Sequence, residues 1–136
     1  MAMKVEHLNP EGLHKNPAFT QAVVVRGNAT TIYVGGQNAV DKDGNIVGKN
    51  DIALQTEKAL QNLETALRAA GAELENVVKW NVYILAGQSA ALGFGAFQKV
   101  WARRPNPPVI TGIFVASLAH PDFLVEIDAI AVIPSP

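Results

Sequence analysis

The chain has 136 residues, 49% of them apolar, 17% charged and 7% aromatic, a composition that suits one compact domain over residues 1–136 rather than a disordered segment. Eleven Lys and Arg stand against twelve Asp and Glu, so the formal charge is −1, with no broad positive field to grip nucleic acid or an anionic membrane. The lack of cysteine excludes disulfides, thiolate metal sites and cysteine nucleophiles, and with neither an apolar leader nor a run of ~18 to 20 apolar residues the expected location is cytoplasmic.

In chain order, the first strand candidates are Ala22 to Arg26 and Thr31 to Gly35, joined by Gly27-Asn28-Ala29, a short connection that predicts a hairpin. Asn50 to Ala70 reads as the main helix. Asn50 or Asp51 supplies a cap, Leu60, Leu63, Leu67 and Ala70 recur at helical spacing, and Gly71 provides the left-handed stop. Val77 to Leu85 alternates as a strand, with Val78, Trp80, Val82 and Ile84 on one face and Lys79, Asn81 and Tyr83 on the other. A second helix starts after Ser89 and turns Phe94, Phe97 and Trp101 inward, Gly93 and Gly95 each costing it ~1 kcal/mol relative to Ala. Arg104-Pro105-Asn106-Pro107-Pro108 is a loop, because proline neither continues a helix nor lets its predecessor do so. Val109 to Ala116 and Leu124 to Val132 are closing strands on either side of a turn at His120-Pro121-Asp122.

This order of strands, helix, strand, helix and strands predicts an α+β fold, a mixed sheet with two helices packed on one face. Val125, Ile127, Ala129 and Ala131 form an apolar row for the helix side, whereas the opposite row interleaves Leu124, Glu126, Asp128 and Ile130. A second face that mixes large apolar groups with Tyr33, Asn81, Tyr83 and two carboxylates is expected where subunits meet, so a homo-oligomer with a polar pocket in its seam is predicted.

Glu126 stands out because a carboxylate alternating within an apolar strand pays desolvation unless it is paired. Either it is poised for proton chemistry, or it forms a structural ion pair with Lys79 or an arginine of another strand. Asp128, two positions on, has the stronger claim to a structural role. Gly35-Gly36-Gln37 ends a strand with two residues that let a ligand approach the backbone, followed by an amide that donates and accepts; its bland reading is a bulge or turn. Gly93-Phe94-Gly95 begins like a dinucleotide fingerprint but lacks the third glycine and the leading strand, and His7, His14 and His120 are too scattered for a metal site.

Taken together, Gly35-Gly36-Gln37, Leu60-Gln61-Asn62-Leu63, Ala70-Gly71-Ala72, Val77-Val78-Lys79 leading to Tyr83, and above all Val125-Glu126-Ile127-Asp128-Ala129-Ile130-Ala131-Val132 resemble the YjgF/YER057c/UK114 family, also called the Rid (reactive intermediate deaminase) family. The similarity covers nearly the whole chain in the right order. The resemblance implies a chorismate-mutase-like fold of the bacillus type, assembled as a homotrimer with clefts between subunits. It also implies hydrolysis of imines or enamines to ketones and ammonia without cofactor or metal. In that pattern a cleft arginine holds the substrate carboxylate, and Glu126 matches the last-strand carboxylate that helps activate water.

The arginine has no match, because the family's Pro-x-Arg-Ser or Pro-x-Arg-Thr stands here as Pro108-Val109-Ile110-Thr111. Phe19 occupies the place of a frequent tyrosine, Gly35 that of a small polar residue, and Gly112 that of a frequent cysteine. Arg103 and Arg104 lie just upstream as candidates for a displaced guanidinium, although a helix-end arginine is ordinarily solvated or helps neutralise the helix dipole. The expectation is a Rid-like deaminase of altered selectivity acting on a small molecule. Glu126 serves as base or water anchor, and Phe19, Gly35, Gly36, Gln37, Ile110 and Thr111 form the substrate pocket. The rival expectation is a non-catalytic small-molecule-binding trimer of the same fold, while a nucleic-acid partner is disfavoured by the charge balance.

Overall fold

The computed structural model describes residues 1–136. Its elements are β1 (Lys4–Leu8), β2 (Ala22–Arg26), β3 (Ala29–Gln37), α1 (Ile52–Ala69), β4 (Val77–Leu85), α2 (Ala90–Trp101), β5 (Val109–Val115) and β6 (Val125–Pro134). Four strands form a mixed sheet in the order β3-β6-β4-β5, with β6 antiparallel to both its neighbours and β4 parallel to β5. Parallel neighbours need a crossover, which α2 supplies. Both helices lie against one face of this sheet, as the strand patterns predict.

The expected hairpin between Ala22–Arg26 and Thr31–Gly35 does not form. Instead β2 pairs with β1, a strand the sequence reading overlooked, and β3 pairs with β6. The cause lies at the connection, where the N-terminal residues cross Gly27-Asn28: the amide of Asn28 donates to the Met1 carbonyl at 2.8 Å, and a Cβ on Gly27 would run into the backbone of Ala2. Gly27 has φ +83°, which glycine adopts without strain.

Helix α1 begins where its cap predicts, with the Asp51 carboxylate accepting from the amide of Leu54 at 3.0 Å, and it buries Leu60, Leu63 and Leu67 completely. Gln55, also fully buried on α1, donates to the Asp122 carbonyl at 2.9 Å and accepts from the Leu124 amide at 2.9 Å. That side chain fixes the turn that launches β6, and it makes Leu124 a buried residue rather than a member of the outer row. Along β6 the inward residues Val125, Ile127, Ala129 and Ala131 are all buried against the helices. On β4 a register shift between Val77 and Lys79 turns Val77 inward and leaves Val78 only half-buried, which corrects the expected row by one residue.

Helix α2 is capped by Ser89, whose hydroxyl accepts from the Leu92 amide at 3.2 Å. Its Phe97 is buried and meets Trp80 edge-on with centroids 5.1 Å apart; Trp101 does the same at 5.6 Å. Phe94, expected inward, is 42% exposed. No helix is long and apolar enough to cross a membrane.

Because Ile127 is fully buried at the centre of the sheet, Ile127→Ala is expected to cost about 2–5 kcal/mol of stability. Asp51→Ala, which removes only a cap, is expected to cost about 1 kcal/mol. Urea denaturation at one fixed protein concentration checks both values and their order.

Candidate functional site

The sheet face turned away from the helices is set by the period of two along β6. With Val125 and Ile127 directed at the core, Glu126 and Asp128 must emerge on the other side. The register lays Asn81 opposite Asp128 and Tyr83 opposite Glu126, and parallel β5 adds Thr111 beside Asn81 and Ile113 beside Tyr83. Tyr33 stands on the same face opposite Ile130 and is 77% exposed.

The two carboxylates have different surroundings. Asp128 accepts from Asn81 Nδ2 at 2.8 Å and from the Tyr83 hydroxyl at 3.1 Å, so both of its oxygens are engaged. That hydrogen bond, followed by burial and then by the charges of Asp128 and Glu126, raises the pKa of the Tyr83 phenol above its ordinary value. Glu126 is half-buried, yet it accepts no hydrogen bond within the chain and has no cation within ion-pair distance. The structural ion pair with Lys79 or an arginine is therefore absent from the protomer.

What keeps Glu126 in place is the backbone beside it. Val34 pairs with Ala129 but Gln37 pairs with Ile127, so Gly35 and Gly36 together face Asp128 in a bulge. A Cβ on Gly36 would lie 2.7 Å from the Glu126 Cδ and overlap the carboxylate, so the acid occupies the space that only a glycine leaves open. Gln37 folds its amide back onto the Gly35 carbonyl at 3.1 Å, which makes it a brace of the bulge within the protomer. The following segment is tied down as well: Asn38 donates to the Val125 carbonyl at 3.1 Å, and Asn62 of α1 donates to the carbonyls of Asn38 and Val40 at 2.9 and 2.8 Å. The sequence reading missed Asn38, Asn62 and Gln55, since a polar residue in a helix or loop does not disclose a partner distant along the chain.

The remaining predicted site residues gather elsewhere. Ile110 shares the register of Trp80 and so faces the helices, on the opposite side of the sheet from Glu126; Thr111 faces the Glu126 side. Phe19, half-buried, is held near the start of β5 through its neighbour Thr20, whose hydroxyl donates to the Pro107 carbonyl at 2.5 Å. Around Ile110, between both helices and the sheet, opens a cavity of about 350 Å³. Arg104 does not line this cavity: it pairs with Glu75 and donates to the Val100 and Trp101 carbonyls at 2.7 and 3.1 Å, closing off the end of α2. Arg103 is exposed and forms no ion pair.

Comparison with known proteins matches residues 13–133 to a family model described as Endoribonuclease L-PSP. The chain is 35% identical to the 2-iminobutanoate/2-iminopropanoate deaminase of Rattus norvegicus over 85% of its own length and 80% of that protein's. It is 36% identical to the RutC family protein UK114 of Drosophila melanogaster over 83% of this chain and 78% of that one. Among solved structures, a conserved Rid-family protein of unknown function from Yersinia pestis, YyfB, superposes with a TM-score of 0.84 at 32% identity, covering 95% of this chain and 98% of that one.

The Tyr83–Asp128 bond has a measurable pH signature. A raised folded-state pKa means that the bond's contribution is fully present below the unfolded tyrosine value and is lost as pH rises through the folded one. In a Tyr33→Phe background, tyrosinate absorbance is expected to appear at higher pH for Tyr83 than in the unfolded chain. Asp128→Asn is expected to bring it down.

Proposed function

The chain belongs to the YjgF/RutC/UK114 family, the one described by the Endoribonuclease L-PSP model, and on that premise we propose that it hydrolyses the C=N bond of an imine, or of an enamine after tautomerisation, in a cleft between copies of itself. The observation that carries this reading is the isolation of Glu126: a half-buried carboxylate with no partner in its own protomer, held over a glycine bulge. A group so placed is free to accept a proton.

The chemistry needs little more. An imine carbon is already electrophilic, so a water hydrogen-bonded to Glu126 adds to it while the carboxylate takes one of the water's protons and passes it to the imine nitrogen, giving a neutral carbinolamine. The carboxylate then takes the carbinolamine's hydroxyl proton and delivers it to the nitrogen as the C–N bond breaks, leaving a carbonyl compound and ammonia, so that imine and water balance the products and Glu126 ends as it began. The backbone at Gly35 and Gly36, Gln37 and the Thr111 hydroxyl orient the substrate, and holding the reactants together supplies much of the rate.

Two copies enter the reading because Ile110 and Glu126 lie on opposite faces of one sheet. A pocket that uses both draws them from neighbouring protomers, with Phe19 on the Ile110 side. The exposed Tyr33 and Ile113 on the same sheet face as Glu126 supply apolar surface for that contact, and a homotrimer is the assembly proposed. Selectivity changes with Ile110: with no guanidinium there and Arg104 engaged elsewhere, a substrate carboxylate loses an anchor worth roughly 2–5 kcal/mol. RNA cleavage is outside this reading, since Glu126 shares its face with a second carboxylate, which disfavours a phosphate backbone. The same exchange at Ile110 favours a second reading, a trimer that binds its ligand without turnover.

Ammonia release from a panel of imines tests the reaction. Glu126→Gln is expected to lower the rate by on the order of 100-fold or more. Gly36→Ala, whose methyl group displaces the carboxylate, is expected to lose most of the activity while the protein stays folded. Equal rates for wild type and Glu126→Gln would remove Glu126 from the mechanism, and saturable binding with no turnover would establish the second reading.

A further inference from the structure

The cavity on the helix side of the sheet is chemically unlike the Glu126 face. Ile52, Val82, Ile84, Phe94, Phe97 and Ile110 supply its principal walls, and no charged side chain lines it. Its one polar side chain, Thr56, already donates its hydroxyl proton to the Ile52 carbonyl at 2.7 Å. A smaller recess shares Phe94, Phe97 and Ile110 with it and is lined by Trp80, whose buried indole N–H has no acceptor. A buried donor left unpaired is unfavourable, and an acceptor brought by a guest or by a water accompanying it relieves that cost.

Size narrows the guest further. A volume of about 350 Å³ lies at the lower end of small-molecule sites, roughly 300–1,000 Å³, and is more than twice the ~150 Å³ void that takes up benzene in an engineered core. One benzyl-sized or branched-alkyl body fits. A carboxylate does not, because no cation or free N–H cluster replaces its hydration.

We propose that the cavity bounded by Ile110, Phe94 and Thr56 is the binding site for the body of an uncharged ligand, so that the substrate class is neutral imines with an aromatic or branched-alkyl group. This deepens the imine-hydrolase reading and rests on it for the reaction, while the binding itself is measured without turnover. Two glycines in the walls supply the means. A Cβ on Gly112 has no heavy atom within 4 Å, so Gly112→Val fills the cavity without a clash. A Cβ on Gly93 would meet Thr56 Oγ1 at 3.6 Å and Ile52 Cδ1 at 3.7 Å, ordinary contacts that make Gly93→Ala a milder filling.

The experiment is calorimetric titration of the whole protein with benzyl alcohol and, separately, with benzoate. Saturable binding of benzyl alcohol, at least tenfold weaker binding of benzoate, and a tenfold or greater loss of benzyl alcohol affinity in Gly112→Val are expected, with Gly93→Ala intermediate. Thermal unfolding of both variants at or above the wild-type midpoint shows that they are folded. Absence of benzyl alcohol binding, equal affinity for benzoate, or unchanged affinity in both folded variants would overturn the proposal. Ammonia release with a carboxylate-bearing imine alongside no neutral binding would overturn it and spare the reaction. Neutral binding that obeys these rules with no ammonia from any imine would uphold the ligand class and sink the reaction.

Discussion

Strand β6 lies between β3 and β4, and its strict alternation is the constraint on which the site depends. Its inward residues, Val125, Ile127, Ala129 and Ala131, are all buried against the helices, so slipping the register by one would drive Glu126 and Asp128 into the core and expose that row. The desolvation of two carboxylates and the lost apolar burial both oppose the slip. Packing on the helix side thus fixes the placement of charge on the other side. Gln55 and Asn38 hold the start of the strand from α1 and from the segment after β3, so the acid's position is set by elements distant along the chain.

Given that placement, the two acids divide the labour through their neighbours. Asp128 is committed to Asn81 and Tyr83 and knits β4 to β6, a structural role. Glu126 has no such commitment, and its clearance over the backbone comes from the bulged Gly35 and Gly36. The same sheet carries an apolar, uncharged cavity behind Ile110 on its other side. A protomer therefore presents an acid on one face and an oily recess on the other, and the proposed assembly sets one against the other across a subunit contact.

Much of this was readable from local pattern. The period of two in Val125–Val132 separated the rows, the Asp51 cap and leucine spacing located α1, and Ser89 located the start of α2. Pattern failed where a distant segment decided the outcome. The Gly27-Asn28 connection reads as a hairpin turn until Met1 and Ala2 cross it, and a one-residue bulge reassigns Val77 and Val78. Phe94 follows helical spacing to the sheet side yet stays 42% exposed because the space beneath it is a cavity rather than packed core. Whether Glu126 had a partner was likewise undecidable from its neighbours in sequence; that no cation comes within ion-pair distance of it in the protomer is a property of the fold.

The claim that one site takes Glu126 from one copy and the Ile110 cavity from another is tested most directly by mixing two inactive variants. Glu126→Gln and a cavity-blocked Gly112→Trp are unfolded together in equal amounts, refolded to allow exchange, and assayed for ammonia release. With shared sites, random assembly restores about a quarter of wild-type activity, because each site draws its halves independently from different copies. Activity no higher than that of either variant alone, in mixtures shown to contain both chains in one oligomer, would contradict the account.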